Sequence, residues 1–278
     1  MSTIALPTRQ AGSLTTAPAG SLCSLRAVLL REFRAALLNR YVQVFSVLAL
    51  GGGFAAITVS ESPGAAAFFL LQIALYFVSL FALLAGVSAA RAEAEEWPIL
   101  FAQPAPRWAC VIGKFAALCA IFSGLLALLF APALFSEESP AALAQLYAQT
   151  LALAAVFGSI GLCAGFLASD RVQGLIISVS AWLFLLFGVD LVALLAAQWA
   201  PLHAQPDAWV ALLMLNPLDA FRIQALFALE QIPAEAADKT PLAGWWLTHA
   251  GLWLAILSAA WTAALLLTTK RHLDRVEV

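Results

Sequence analysis

The chain has 278 residues and a formal net charge of -2, with apolar residues making up 63% and charged residues 11%, and its mean hydropathy is +0.92. Soluble domains carry about a quarter of their residues as charges, so this composition excludes a water-soluble globular domain; the overall charge balance says nothing about partners, and nucleic acid is not an expected one. The four cysteines, Cys23, Cys110, Cys119 and Cys163, show no C-x-x-C spacing and read as small apolar residues rather than a disulfide framework or a thiolate metal cluster.

Residues 1–23 are rich in Ser, Thr, Ala, Gly and Pro, with Arg9 as the one charge. Such a stretch has too little apolar surface to order itself and is expected to be a disordered tail. From Ser24 the pattern changes. Leu25, Val28, Leu29, Phe33, Ala36 and Leu37 recur at helical spacing, while Arg26, Arg31, Glu32 and Arg34 supply polar surface, which predicts an amphipathic helix over 24–40 lying on the membrane face, with Ser24 as its N-cap.

A membrane span needs about 20 mostly apolar residues. Six stretches qualify: Tyr41 to Val59, Phe68 to Ala90, Val111 to Phe135, Leu146 to Ala168, Gly174 to Trp199, and Trp246 to Thr269. Threading the chain through them puts Arg9, Arg26, Arg31, Arg34, Arg40, Arg91, Arg107, Lys114, Arg171, Lys270, Arg271 and Arg275 on one side, twelve of the fourteen Lys and Arg residues, and only Arg222 and Lys239 on the other. The positive-inside rule makes the first side cytoplasmic. Both termini are then expected in the cytoplasm of a bacterial inner-membrane protein, and the short acidic connections Ser60 to Ala67 and Ser136 to Gln145 outside.

The cytoplasmic connection between spans two and three carries Glu93, Glu95 and Glu96 just ahead of Trp97-Pro98, then Ile99, Leu100 and Phe101, and ends at Gln103-Pro104-Ala105-Pro106-Arg107. Acid ahead of a proline at a first turn predicts a short helix. Projecting from two long spans, it would be a mechanical handle, since a push on it tilts both; the plain alternative is an ordinary acidic loop. This layout resembles the ABC-2 family of transporter permeases. In that family an amphipathic helix precedes six spans, and an acidic segment, a leucine-containing stretch and a proline-arginine turn form the coupling helix. The matching residues are Glu93, Glu95, Glu96, Leu100, Gln103-Pro104, Arg107 and Gly113-Lys114-Phe115; Trp97-Pro98 stands where the family commonly has Gly-Thr. The resemblance implies that Glu93, Glu95, Glu96, Leu100 and Arg107 couple the chain to an ATPase.

The other side has one long connection, 200–245, containing Leu215-Asn216-Pro217-Leu218-Asp219-Ala220-Phe221-Arg222. Asn216 can cap a helix, Pro217 suits its first position and Asp219 its third, so a helix over Ala208 to Leu215, a break and a second helix are expected. Two short apolar helices beside the spans would bury themselves in the outer leaflet or against a partner, which makes Asn216, Pro217, Asp219, Phe221 and Arg222 candidates for docking a periplasmic protein. A similar N-P-x-D-x-[FY]-R stretch occurs in the NosY-like branch of the family, the permease of the ABC complex that serves copper-site maturation of nitrous oxide reductase. That resemblance, running from about Arg31 to Leu273, implies two copies of this chain, two cytoplasmic ATPase subunits and a periplasmic accessory protein.

Asp190 is the one acid deep in an apolar run, about 24 Å along its span at about 1.5 Å per residue, and is expected to face protein, a cavity or the outer interface. His203, His249 and Met214 fall on the outer side without ligand spacing, so no metal site is expected on this chain and any copper belongs to a partner. The sequence has no G-x-x-x-x-G-K-[ST] loop and no H-E-x-x-H or G-x-S-x-G motif, so ATP and Mg are expected in a partner subunit and no catalytic residue on this chain. The reading is an all-α membrane protein: tail 1–23, amphipathic helix 24–40, a six-span permease domain 41–272 with a coupling segment 91–110 and a periplasmic segment 200–245, and a cytoplasmic end 273–278. An ABC-2 exporter of a lipid-linked or amphipathic substrate is the alternative.

Overall fold

The computed structural model describes residues 30–58, 64–92, 107–136, 139–196, 206–229 and 241–275. Lipid offers no hydrogen-bonding partners, so an apolar chain that crosses it satisfies its backbone within each segment, as a helix does. Every regular element among the described residues is helical. Helix α1 covers residues 30–37 and leads into α2 (Arg40–Thr58), α3 (Ala65–Arg91), α4 (Trp108–Phe135), α5 (Pro140–Leu167) and α6 (Arg171–Val192), all long and apolar enough to cross a membrane. Helix α6 runs on to Ala196. Then come α7 (Pro206–Leu215), α8 (Pro217–Ala228) and α9 (Pro241–Thr248), and the sixth span α10 (Ala250–Arg275). The chain is an all-α, multi-pass membrane protein.

Some boundaries differ from those expected. The fourth span begins at Pro140 rather than Leu146, because Pro140 sits at the first helical position after Ser139 and the alanines that follow extend the helix. The sixth begins at Ala250, with the expected start Trp246 belonging to α9 and His249 forming the turn between them. Helix α3 starts after Gly64, whose φ of 86° suits glycine.

Helix α5 is the axis of the bundle, with 78% of its apolar window buried against 17% for α6, and it touches α3, α4, α6, α8 and α10. Its contact with α3 is the tightest. A Cβ added to Gly161 would lie 2.0 Å from Leu83 O, one on Gly86 2.5 Å from Gly158 O, and one on Gly165 2.6 Å from Ala90 Cβ. Lipid tails are as apolar as leucine, so apolar burial gives helices little reason to associate there; small residues let backbones meet and gain dispersion contacts instead. Two π turns interrupt the spans, Ala74–Val78 in α3 and Phe184–Gly188 in α6, and a hydrogen bond joins the residues next to them. The Trp182 indole donates to Ser79 Oγ at 2.9 Å, and Ser79 Oγ donates to Leu75 O.

At the end where most cations gather, Lys114 Nζ donates to Glu32 Oε2 at 2.7 Å, with both side chains buried, and Arg31 lies 3.1 Å from Glu32 Oε1. Glu32 was expected on the polar face of the amphipathic helix. It turns inward because Lys114 needs a counter-charge where α4 enters the bundle, and breaking such a pair costs roughly 3–5 kcal/mol. Arg91 Nη1 donates to Ser169 O at 3.3 Å, bringing the ends of α3 and α5 together.

Gly161→Ala is expected to destabilise the purified protein by about 1–3 kcal/mol through overpacking against α3, measured as thermal unfolding in detergent. Gly124→Ala, where an added Cβ meets nothing within 4 Å, should be neutral or slightly stabilising; equal behaviour of the two variants would remove the α3–α5 contact as the organising one.

Candidate functional site

Helices α7 and α8 meet at 105° across Asn216, at the end of the bundle opposite Lys114. A break of that kind exposes the last carbonyls of one helix and the first amides of the next, and here side chains take both. Trp253 Nε1 donates to Met214 O at 2.9 Å and Trp261 Nε1 to Leu215 O at 3.3 Å, both indoles reaching from α10. Asn216 Oδ1 accepts from Leu218 N at 3.2 Å. Pro217 has no N–H to lose. The capped start expected at Asn216-Pro217-Leu218-Asp219 is therefore present, and a cap of this type stabilises a helix by about 1 kcal/mol.

The Asn216 amide also carries the site outward. Its Nδ2 donates to Asp219 Oδ2 at 2.6 Å and to Leu185 O at 2.7 Å. Leu185 lies in the π turn of α6, and wide turns of this kind leave backbone carbonyls open to partners from outside the helix. Asp219 Oδ1 lies 2.8 Å from Arg222 Nη2, and Arg222 Nη1 lies 3.5 Å from Asp190 Oδ2. The side chains are exposed by 4% at Asp219, 34% at Arg222 and 44% at Asp190, so the network runs from the protein interior to its surface. One guanidinium serves two carboxylates, a geometry suited to its planar fork.

A second group of contacts ties α8 to the bundle. In the amide orientation that satisfies its neighbours, Gln224 accepts from Gln149 Nε2 at 2.8 Å and from Gly251 N at 3.2 Å, and donates to Ala250 O at 3.0 Å. Gln149 belongs to α5, and Gly251 and Ala250 to α10. Together with buried Leu218, Phe221 and Ala225, these contacts lock α8 against α5 and α10.

The structure brings Asn216, Pro217, Asp219, Phe221, Arg222 and Asp190 together, but as an internal lock rather than an open patch. Asn216, Pro217, Asp219 and Phe221 were expected to present a docking surface, and all are buried. The apolar face of α8 turns inward because α5 and α10 pass behind it, and Arg222 is occupied by its two acids. An alanine at Phe221 would therefore report on folding. Asp190 lies toward the α7–α8 end of its span, where its partner is Arg222. The sequence reading missed this pairing, as it missed Gln149 with Gln224; an intramembrane acid together with a lone outer arginine was the available signal.

Met214 is buried. The ring of exposed His249 stacks on Trp245 at 5.2 Å, with Nδ1 3.0 Å from Trp245 O. Among the described residues no three His, Cys, Asp or Glu side chains converge. His203, Glu93, Glu95, Glu96 and Leu100 lie outside the described residues, and Arg107 is placed at the start of α4 by its backbone.

Arg222→Gln leaves the buried Asp219 carboxylate without its cation and should lower stability by about 1–3 kcal/mol. Adding Asp219→Asn should restore at least half of that loss, and His249→Ala should stay within about 0.5 kcal/mol of the parent. Thermal unfolding in detergent reads all three, and strictly additive losses in the first two would mean that the pair is not coupled. No protein-family model matches the chain, and no curated protein matches its sequence.

Proposed function

We propose that this chain is the membrane subunit of an ABC-type transporter of the ABC-2 class, inserted in the inner membrane with both termini in the cytoplasm. Two copies would be grasped by two cytoplasmic ATPase subunits, which supply ATP and Mg. The observation that carries the reading is the bent pair α7–α8, held by side chains to α5, α6 and α10 at the end remote from the acidic connection. An element gripped by three spans moves when they move, so tilting at one end becomes displacement at the other. The order of elements supports it too: a short helix ahead of six spans, and one long connection between the fifth and sixth.

On the NosY-like reading, the displacement serves a periplasmic accessory protein in copper-site assembly of nitrous oxide reductase, with the copper on the partner. Because Phe221 and Asp219 face inward, such a partner would meet the exposed start of α7 at Asp207 and Ala208. The sequence offers no phosphate loop of its own, so the energy source is assigned to a separate chain.

Sidedness is tested by cysteine labelling in intact cells: Glu61→Cys, Glu138→Cys and Ala236→Cys should react with an impermeant reagent, and Ala94→Cys and Val276→Cys should not. Reaction at position 94 from outside would invert the topology. Coupling is tested by purifying the full chain in mild detergent and identifying bound proteins by mass spectrometry. A cytoplasmic ATPase should co-purify, and Glu95→Lys with Glu96→Lys should reduce its recovery several-fold without loss of membrane insertion, because a groove suited to acid would meet like charge. Recovery of the chain with no ATPase in any detergent tested would overturn the proposal.

A further inference from the structure

The end of the bundle that carries Lys114 contains a cavity of about 240 Å³ between α1, the start of α2, the end of α3 and the start of α6. Three cations line it: Lys114, Arg40 and Arg171. Lys114 is neutralised by Glu32 at 2.7 Å. Arg40 and Arg171 are both exposed, and among the described residues neither guanidinium has an ion-pair or hydrogen-bond partner. Among the described residues the nearby acids are already engaged, since Glu32 serves Lys114 and Arg31, and Asp170 caps α6 through Gln173 N at 2.8 Å and faces Arg91. Two guanidiniums without an acidic partner among the described residues therefore flank one recess.

A second feature adjoins it. Leu38 lines the same cavity and is 77% exposed, and Leu37 and Phe33 are exposed on α1 beside it. These side chains sit immediately before the span α2, at the level where hydrocarbon gives way to headgroups. A free inorganic anion would satisfy the arginines and leave the leucines in water. An amphiphile with an anionic head satisfies both.

We propose that this cavity binds the phosphate headgroup of an anionic phospholipid, held by Arg40 and Arg171, with its acyl chains lying along Leu37 and Leu38. Guanidinium groups take phosphate oxygens in a bidentate fashion, and basic recesses between spans suit such headgroups. The bound lipid would staple α1 to the starts of α2 and α6. The proposal stands apart from the ABC-2 reading, since it needs only the cavity and the bilayer.

The test uses the full chain in a non-ionic detergent, titrated with dioctanoyl phosphatidylglycerol, dioctanoyl phosphatidylcholine or inorganic phosphate. Binding is followed by native mass spectrometry and thermal stability. Phosphatidylglycerol should bind at least about tenfold more tightly than phosphatidylcholine, the size of one charge-assisted contact. Arg40→Gln with Arg171→Gln should abolish that preference, Arg40→Lys with Arg171→Lys should keep part of it, and Arg271→Gln, an exposed cation at the same end outside the cavity, should leave it intact. Equal binding of the two lipids, or a preference that survives the double glutamine variant, would overturn the site. Inorganic phosphate stabilising the protein as much as phosphatidylglycerol would overturn the lipid in favour of a free anion.

Discussion

The backbone contact between α3 and α5 is the constraint on which the other placements depend. Gly86, Gly158, Gly161 and Gly165 remove side chains where the two helices meet, so carbonyls and amides of one pack directly on the other. In a bilayer this close approach replaces the hydrophobic effect as the source of association, because dispersion falls off steeply with a gap of even an ångström. With α5 seated on α3, its remaining faces become the wall against which α4, α6 and α10 pack. Helix α8 then reaches Gln149 of α5 through Gln224. The lock around α8 is in this sense a consequence of the glycine seam.

The two ends of the bundle handle charge differently. At the α7–α8 end, Arg222 is balanced by Asp219 and Asp190, and the orphan groups of the α7–α8 break are taken by Asn216, Trp253 and Trp261. Polar groups that are satisfied internally hold a unique geometry, because any shift would strand one of them in a medium that cannot solvate it. At the other end, Lys114 is paired with Glu32, whereas Arg40 and Arg171 have no ion-pair partner among the described residues. One end is organised around itself; the other, on the proposed lipid site, is organised around a headgroup. On the proposed transporter reading this difference is useful, since a stiff outer element transmits movement and a surface anchored to headgroups gives the spans something to pivot against.

The π turns in α3 and α6 bear on the same question. Each adds a residue to a turn and so rotates the helix that follows, and the neighbouring residues Trp182 and Ser79 are joined by a hydrogen bond. The turn in α6 is also where Leu185 O receives Asn216. Helix α6 is thus tied to α3 through Trp182 and to α8 through Leu185, which places it as the link between the glycine seam and the α7–α8 pair.

How much of this was legible in the sequence depends on the range over which each interaction acts. Six spans follow from apolar runs of bilayer length, and the start of α8 follows from Asn216 and Pro217, because hydropathy and capping are decided by neighbours within a turn or two. The glycine spacing from Gly158 to Gly165 was there to be read as a close-packing face, although spacing does not name its partner. Rotation of each helix about its axis was not legible, since side chains facing lipid and side chains facing protein are equally apolar here. Only the tertiary structure could turn Glu32 inward to Lys114, 82 residues away, set Asp190 against Arg222, and bury Phe221 where a docking surface was expected. The sequence by itself determined which segments are apolar and long enough to cross a membrane and where α8 begins; the packed bundle decided which polar groups meet, because that choice depends on which helices are neighbours and how each is turned.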